Sequence, residues 1–99
     1  MRKKAHVTTF GYEYGNPPEA DRVYDVRDLH DHPMNSGKIE ERAEEIMEEL
    51  EAGDHIAIGC ELGHDRSPHV AARIKKEFGA TVEHRDKWRN DHAADARKK

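Results

Sequence analysis

The apolar positions of this chain change their spacing from segment to segment, and each change predicts an element. Ala5 to Phe10, with Val7, Thr8, Thr9 and Phe10, favours an extended backbone and is followed by Gly11 and the turn-rich stretch Gly15-Asn16-Pro17-Pro18. Arg22 to Arg27 alternates apolar and polar residues and predicts a second strand whose polar end delivers Asp25 and Arg27. Asp28 to Gly37 has loop composition, and Ser36, followed by Ile39 and Glu40, gives a partial N-cap signal. Ile39, Ala43, Ile46, Met47 and Leu50 then fall on one helical stripe, with glutamates on the remaining positions and Gly53 placed to end the helix. His55 to Gly59 is a short, largely apolar strand of the kind found inside a sheet. Val70, Ala71, Ile74 and Phe78 form a second helical stripe that tolerates Pro68 in its first turn and closes at Gly79. Thr81 to His84 is a last strand, and residues 87–99 predict a polar helix or tail anchored only by Trp88.

This order of elements predicts an α/β fold. A mostly parallel four-stranded sheet with two to three helices would form a small two-layer or three-layer sandwich with right-handed crossovers. Residues 1–99 make one domain, large enough for one modest core. Ligands of such sheets bind beyond the carboxyl ends of the strands, which here carry Gly11, Arg27, Cys60 and the pair His84-Arg85.

Composition narrows the function. With 34% hydrophobic and 38% charged residues, the core must come from short strands and one face of each helix. A net charge of −4 argues against a general nucleic-acid binder, which needs surplus Lys and Arg to displace counterions. The charge is unevenly placed, because the glutamates concentrate on the first helix while basic residues gather near the termini. No apolar run reaches the length of a membrane span and no secretory segment follows Met1, so a protein without membrane contact is expected. One cysteine cannot form an internal disulfide, which fits the reducing cytoplasm.

The candidate chemistry lies in the loop Cys60-Glu61-Leu62-Gly63-His64-Asp65-Arg66-Ser67. A strand ending at Cys60 and a helix starting near Ser67 would aim loop N–H groups and the positive helix end at one point, where Arg66 could grip an anion with two prongs. The Cys-x5-Arg-Ser spacing is also that of a cysteine-dependent phosphatase, in which the loop stabilises a thiolate that attacks phosphorus. That chemistry would use Cys60 as nucleophile, Arg66 on the phosphate and Asp25, Asp28 or Asp31 as leaving-group acid. Cys60 equally fits a small buried hydrophobe, and Glu61 and Asp65 oppose a dianion unless they point outward. Asp25, Arg27, His64 and His84 are candidates for the same pocket, with Tyr12 as a wall, whereas His30, His32, His55, His69 and His92 are expected on the solvated surface. His30-Asp31-His32 supplies no tetrahedral framework, so neither a metal nor a cofactor is expected. Arg85, Lys87 and Arg89 form the candidate contact for an RNA backbone, set against a plain solvated tail.

Several separated words of the sequence occur in a telling order: Thr9-Phe10-Gly11-Tyr12-Glu13-Tyr14-Gly15, Ala20-Asp21 with Val23-Tyr24-Asp25-Val26-Arg27, Ile58-Gly59-Cys60 with Gly63 and Arg66-Ser67, and His84-Arg85-Asp86. Together they resemble the C-terminal domain of the RapZ family of RNase adapter proteins, over roughly residues 7–86 apart from the middle. The resemblance implies a phosphosugar-binding module that binds small regulatory RNA and oligomerises. It places the pocket at Cys60–Ser67 with Asp25 and Arg27, and the basic C-terminal stretch toward RNA. Leu62 and Asp65 stand where the family has a glycine and a histidine, and the segment between Arg27 and His55 is far shorter than the family's. The family's nucleotide-binding domain has no counterpart in these residues, so no ATP or GTP hydrolysis is expected of them. The leading expectation is a non-catalytic module for a phosphorylated small molecule such as an amino-sugar phosphate, with RNA and a second copy of the chain as further partners. The alternative is a small cysteine-dependent phosphatase.

Overall fold

The structure, a computed structural model, describes residues 4–33 and 36–87. Trp88, Arg89 and the expected C-terminal helix or tail lie outside the described residues.

Strands β1 (His6–Gly11), β2 (Arg22–Asp25), β3 (His55–Cys60) and β4 (Thr81–His84) form one sheet in the order β2-β3-β1-β4, with every pair parallel. Helix α1 (Lys38–Glu49) connects β2 to β3, and α2 (Arg66–Phe78) connects β3 to β4. Both crossovers advance across the sheet in the same direction, so right-handed connections put both helices on one face, and α1 packs against α2 there. The result is the two-layer form of the expected α/β sandwich. A single apolar core joins Val7, Ile56, Ile58 and Cys60 of the sheet to Ile39, Ala43 and Ile46 of α1 and Val70, Ala71 and Ile74 of α2.

The hydrophobic stripes set these contacts, but the element ends follow local chemistry. The segment after β2 is not an open loop, since Arg27–Asp31 winds into a 3-10 turn that buries Leu29. Gly37, not Ser36, starts α1. Its φ of 86° suits glycine alone at low cost, and the Ser36 hydroxyl accepts the Lys38 N–H at 3.3 Å. At the other end α1 stops at Glu49 rather than running to Gly53. Leu50 must turn extended to reach the core, and the Asp54 carboxylate accepts the Glu51 N–H at 2.9 Å to close the following turn. Gly79 closes α2 as expected, in the left-handed region with its N–H on the Lys75 carbonyl. No helix among the described residues is long and apolar enough to cross a membrane.

Candidate functional site

Parallel pairing brings all four strand ends to one edge of the sheet. Gly11 lies opposite Cys60 and Asp25 opposite Gly59, so the loop after β3 rises between the ends of β1 and β2. Three neighbours fix that loop. The Glu61 carbonyl accepts the Glu13 N–H at 3.0 Å, which ties it to the short turn after β1. On a second side Gly63 presses against Gly11, with so little room that a Cβ at Gly11 would stand 2.3 Å from the Leu62 carbonyl carbon. The third tie is Arg66, which is 8% exposed.

The donors of Arg66 go to backbone oxygens. Its Nε donates to Leu29 O at 3.1 Å and its Nη2 to His32 O at 3.1 Å and His30 O at 3.5 Å, while Nη1 meets Asp65 Oδ2 at 3.1 Å. A short 3-10 turn ends with orphan carbonyls, and a guanidinium fork satisfies several at once. Replacing Arg66 with alanine is therefore expected to cost about 2–4 kcal/mol, because charge-assisted bonds are lost and buried carbonyls are stranded. Lysine should recover less than half of this. Urea denaturation measures the cost, and faster amide exchange at Leu29 and His32, whose N–H groups hold the turn, locates it.

The loop borders a half-open pocket of about 90 Å³ lined by His30, Cys60, Glu61, Leu62, His64, Asp65 and Arg66. Cys60, 4% exposed, is part of its lining, with Sγ 3.3 Å from Ser67 Oγ. Burial pushes the thiol up, but the Ser67 hydroxyl and the N–H groups of Ser67, Asp65 and Gly63 outweigh it and hold Cys60 below the ordinary thiol value. Backbone N–H groups near the first turn of α2 thus favour negative charge at Cys60.

The remaining candidates sort by position. Arg27 binds Asp25 through Nε and Nη2 at 2.7–3.1 Å and lies over the Tyr12 ring at 3.9 Å, forming a closed cluster at the ends of β1 and β2. The Arg27 bond holds the Asp25 carboxyl below the usual range, and Arg42 does the same for Asp28. His64 lines the cavity, with Nδ1 3.2 Å from the Lys87 carbonyl. His84 does not line it. Its Nδ1 lies 2.7 Å from Thr9 Oγ1, and burial, followed by Lys87 and Lys75, lowers its pKa. Arg85 donates to Asp86 Oδ2 at 2.9 Å and to Asn16 O at 2.7 Å. Arg89 lies outside the described residues. Among the described residues no group of three His, Cys, Asp or Glu side chains could hold a metal ion.

Two features escaped the sequence reading. His30 is exposed, as expected, and also forms part of the pocket lining. Asp86 is fully buried, and its Oδ2 accepts the Gly11 N–H at 2.8 Å. The only signal for Asp86 was its place in the word His84-Arg85-Asp86, because a carboxylate in a polar segment reads as surface.

The chain has distant homologues named nucleotide-binding protein. One, from Caldanaerobacter subterraneus subsp. tengcongensis, is 32% identical over 117 residues, covering 81% of this chain and 40% of the relative. Another, from Pediococcus pentosaceus, is 29% identical over 114 residues, covering 81% of this chain and 39% of the relative. The chain thus spans about two fifths of the length of these curated relatives. Both alignments are longer than the 99-residue chain itself, so the relatives carry segments that it lacks within the matched region. No family model matches the chain.

Proposed function

We propose that this domain is a non-catalytic module of the RapZ C-terminal type that binds the phosphoryl group of a small molecule in the loop 60–67. The observation that supports this reading is the pocket that Cys60, His64 and Arg66 line at the strand ends, with the backbone N–H groups of Gly63, Asp65 and Ser67 favouring negative charge at Cys60. A phosphoryl oxygen is held well by such donors at a helix start. Arg66 serves the site as a brace, since its fork secures the turn that supplies His30. The name of the two relatives agrees with a phosphorylated ligand.

Inorganic phosphate added at neutral pH is expected to shift the amide resonances of Gly63, Asp65 and Ser67 while leaving those of Thr81 and Val82, at the opposite end of the sheet, in place. Uniform shifts, or none at the loop up to tens of millimolar, would end the proposal.

Phosphatase chemistry has one observation in its favour, the lowered pKa of Cys60. Against it stand two of the three candidate acids. Asp25 and Asp28 are each held ionised by an arginine, whereas a leaving-group acid must keep its proton at neutral pH. The lowered pKa makes its own prediction, because the thiolate gains population at lower pH than in a free cysteine. In the folded protein, the rise of iodoacetamide labelling at Cys60 with pH should have its midpoint below that of a denatured control. An aryl phosphate should not be turned over by the native chain in a manner that Cys60→Ser abolishes. The bonds of Arg27 to Asp25 and of Arg85 to Asp86 and Asn16 also weigh against an RNA-backbone face built on those two residues, because part of each guanidinium is already engaged.

A further inference from the structure

Among the described residues, the pocket lining holds one permanent cation, Arg66, and its donors are engaged within the protein. Nε and Nη2 go to the carbonyls of Leu29, His30 and His32, and Nη1 goes to Asp65. Arg27, a charge neighbour of Glu61, is bound to Asp25, and Arg85 is bound to Asp86, against which Gly63 packs. Additional positive charge for an anionic occupant must therefore come from a lining imidazole. His30 is exposed, whereas His64 is half-buried and its ring is anchored, with Nδ1 3.2 Å from the Lys87 carbonyl oxygen.

A carbonyl only accepts, so Nδ1 of His64 carries a proton whether the ring is neutral or charged. The other nitrogen is the one left to a pocket occupant. In the neutral ring Nε2 is a lone pair that repels an oxyanion, and in the imidazolium it is an N–H that donates a charge-assisted bond. We infer, resting on the phosphoryl-binding reading above, that His64 is a binding residue of this pocket, and that a fully deprotonated oxyanion enters together with a proton taken from solvent onto His64 Nε2. The surroundings of the ring permit this. Asp65 pairs with Arg66 and Asp86 with Arg85, Glu61 favours the imidazolium, and Lys87 and a charged His30 oppose it. The coupling is reciprocal, since a proton that strengthens anion binding is itself held more tightly by the bound anion.

The test titrates the full chain with sodium sulfate, whose own charge is constant, at fixed ionic strength and at pH values from about 5.5 to about 8, where imidazoles change charge. The Gly63 and Asp65 amide resonances follow binding. The sulfate dissociation constant is expected to rise about tenfold or more from the lowest pH to the highest, and the sulfate-saturated protein should keep the His64 ring proton to a higher pH than the free protein. In His64→Asn the side-chain amide can still donate to the Lys87 carbonyl but nothing replaces the titrating nitrogen, so the dependence should flatten to about twofold or less. Cys60→Ser separates the other source of such a dependence, because a thiolate forming in the pocket would also repel sulfate as pH rises. There the dependence should persist. Sulfate that binds equally across the range, or fails to bind where phosphate binds, overturns the inference and leaves the anion pocket standing. So does a dependence that survives in His64→Asn or vanishes in Cys60→Ser. If neither sulfate nor phosphate moves the loop resonances at any pH, the phosphoryl-binding reading falls and this inference falls with it.

Discussion

Alanine in place of Gly63 is expected to destabilise the domain by about 3–5 kcal/mol, the range reached only when a substitution meets a specific obstruction. Gly63 has a φ of +70°, where a Cβ alone costs on the order of 1–2 kcal/mol. The larger cost is steric. That Cβ would lie 2.7 Å from both the Gly11 nitrogen and the Phe10 carbonyl carbon, and 3.1 Å from the Asp86 Cβ. Two of these obstacles are backbone atoms of the central strand, so the loop and not the strand must yield. Gly11→Ala meets the same contact from the other side, at 2.3 Å from the Leu62 carbonyl carbon. Because one displacement of the loop relieves both clashes, the double variant should be much less destabilised than the sum of the singles. Chemical denaturation of the three variants measures this coupling. Additive costs would show that the two glycines do not share one contact.

Asp86→Ala should be comparably severe, at roughly 3–5 kcal/mol, the usual cost of breaking a buried ion pair by removing one partner. Asp86 Oδ2 receives the Gly11 N–H at 2.8 Å and Arg85 Nε at 2.9 Å, and the residue is wholly buried. Truncation leaves the guanidinium and the strand-end N–H without this acceptor. Asp86→Asn retains a carbonyl oxygen for Gly11 but loses the charge and puts an NH2 donor where the second carboxylate oxygen was, so it should cost less than alanine while remaining destabilising. In a domain of this size each kcal/mol moves Tm by roughly 4–8 °C, so thermal denaturation separates the two variants readily. The change should also reach the anion loop, since Gly63 packs on Gly11 and Asp86 together. Phosphate affinity in Asp86→Asn is therefore expected to fall even where the variant remains folded, and a variant with native affinity would uncouple this carboxylate from the site.

Both predictions concern contacts that sequence reading reached incompletely. The word Gly11 and the loop Cys60–Ser67 were visible as strand-end punctuation, and their convergence followed from the parallel α/β topology. The identity of the contact between them was not visible. Gly11 adopts ordinary extended angles, φ −116° and ψ 129°, which any residue tolerates, so its need for a missing side chain arises only from the backbone of a residue some fifty positions away. Arg66 illustrates the same limit. Its type and spacing marked it as a cation at the loop, but the partner of a guanidinium is whichever acceptor lies within reach. Here the 3-10 turn at Arg27–Asp31, in a segment with loop composition, presents its carbonyls first.

The sequence by itself determined the α/β class, the strands, the two helical stripes and the end of the sheet where chemistry gathers. Periodicity and glycine placement are local properties, and a parallel sheet converts them into a shared edge. Only the tertiary structure decided that both helices share one face, that Asp86 is buried beneath Gly11, that His30 walls the cavity and that Arg66 turns toward the 3-10 turn. Each of these depends on the distance between groups far apart in the chain, and a hydrogen bond or a steric clash changes completely within about an ångström, a scale on which a residue pattern carries no information.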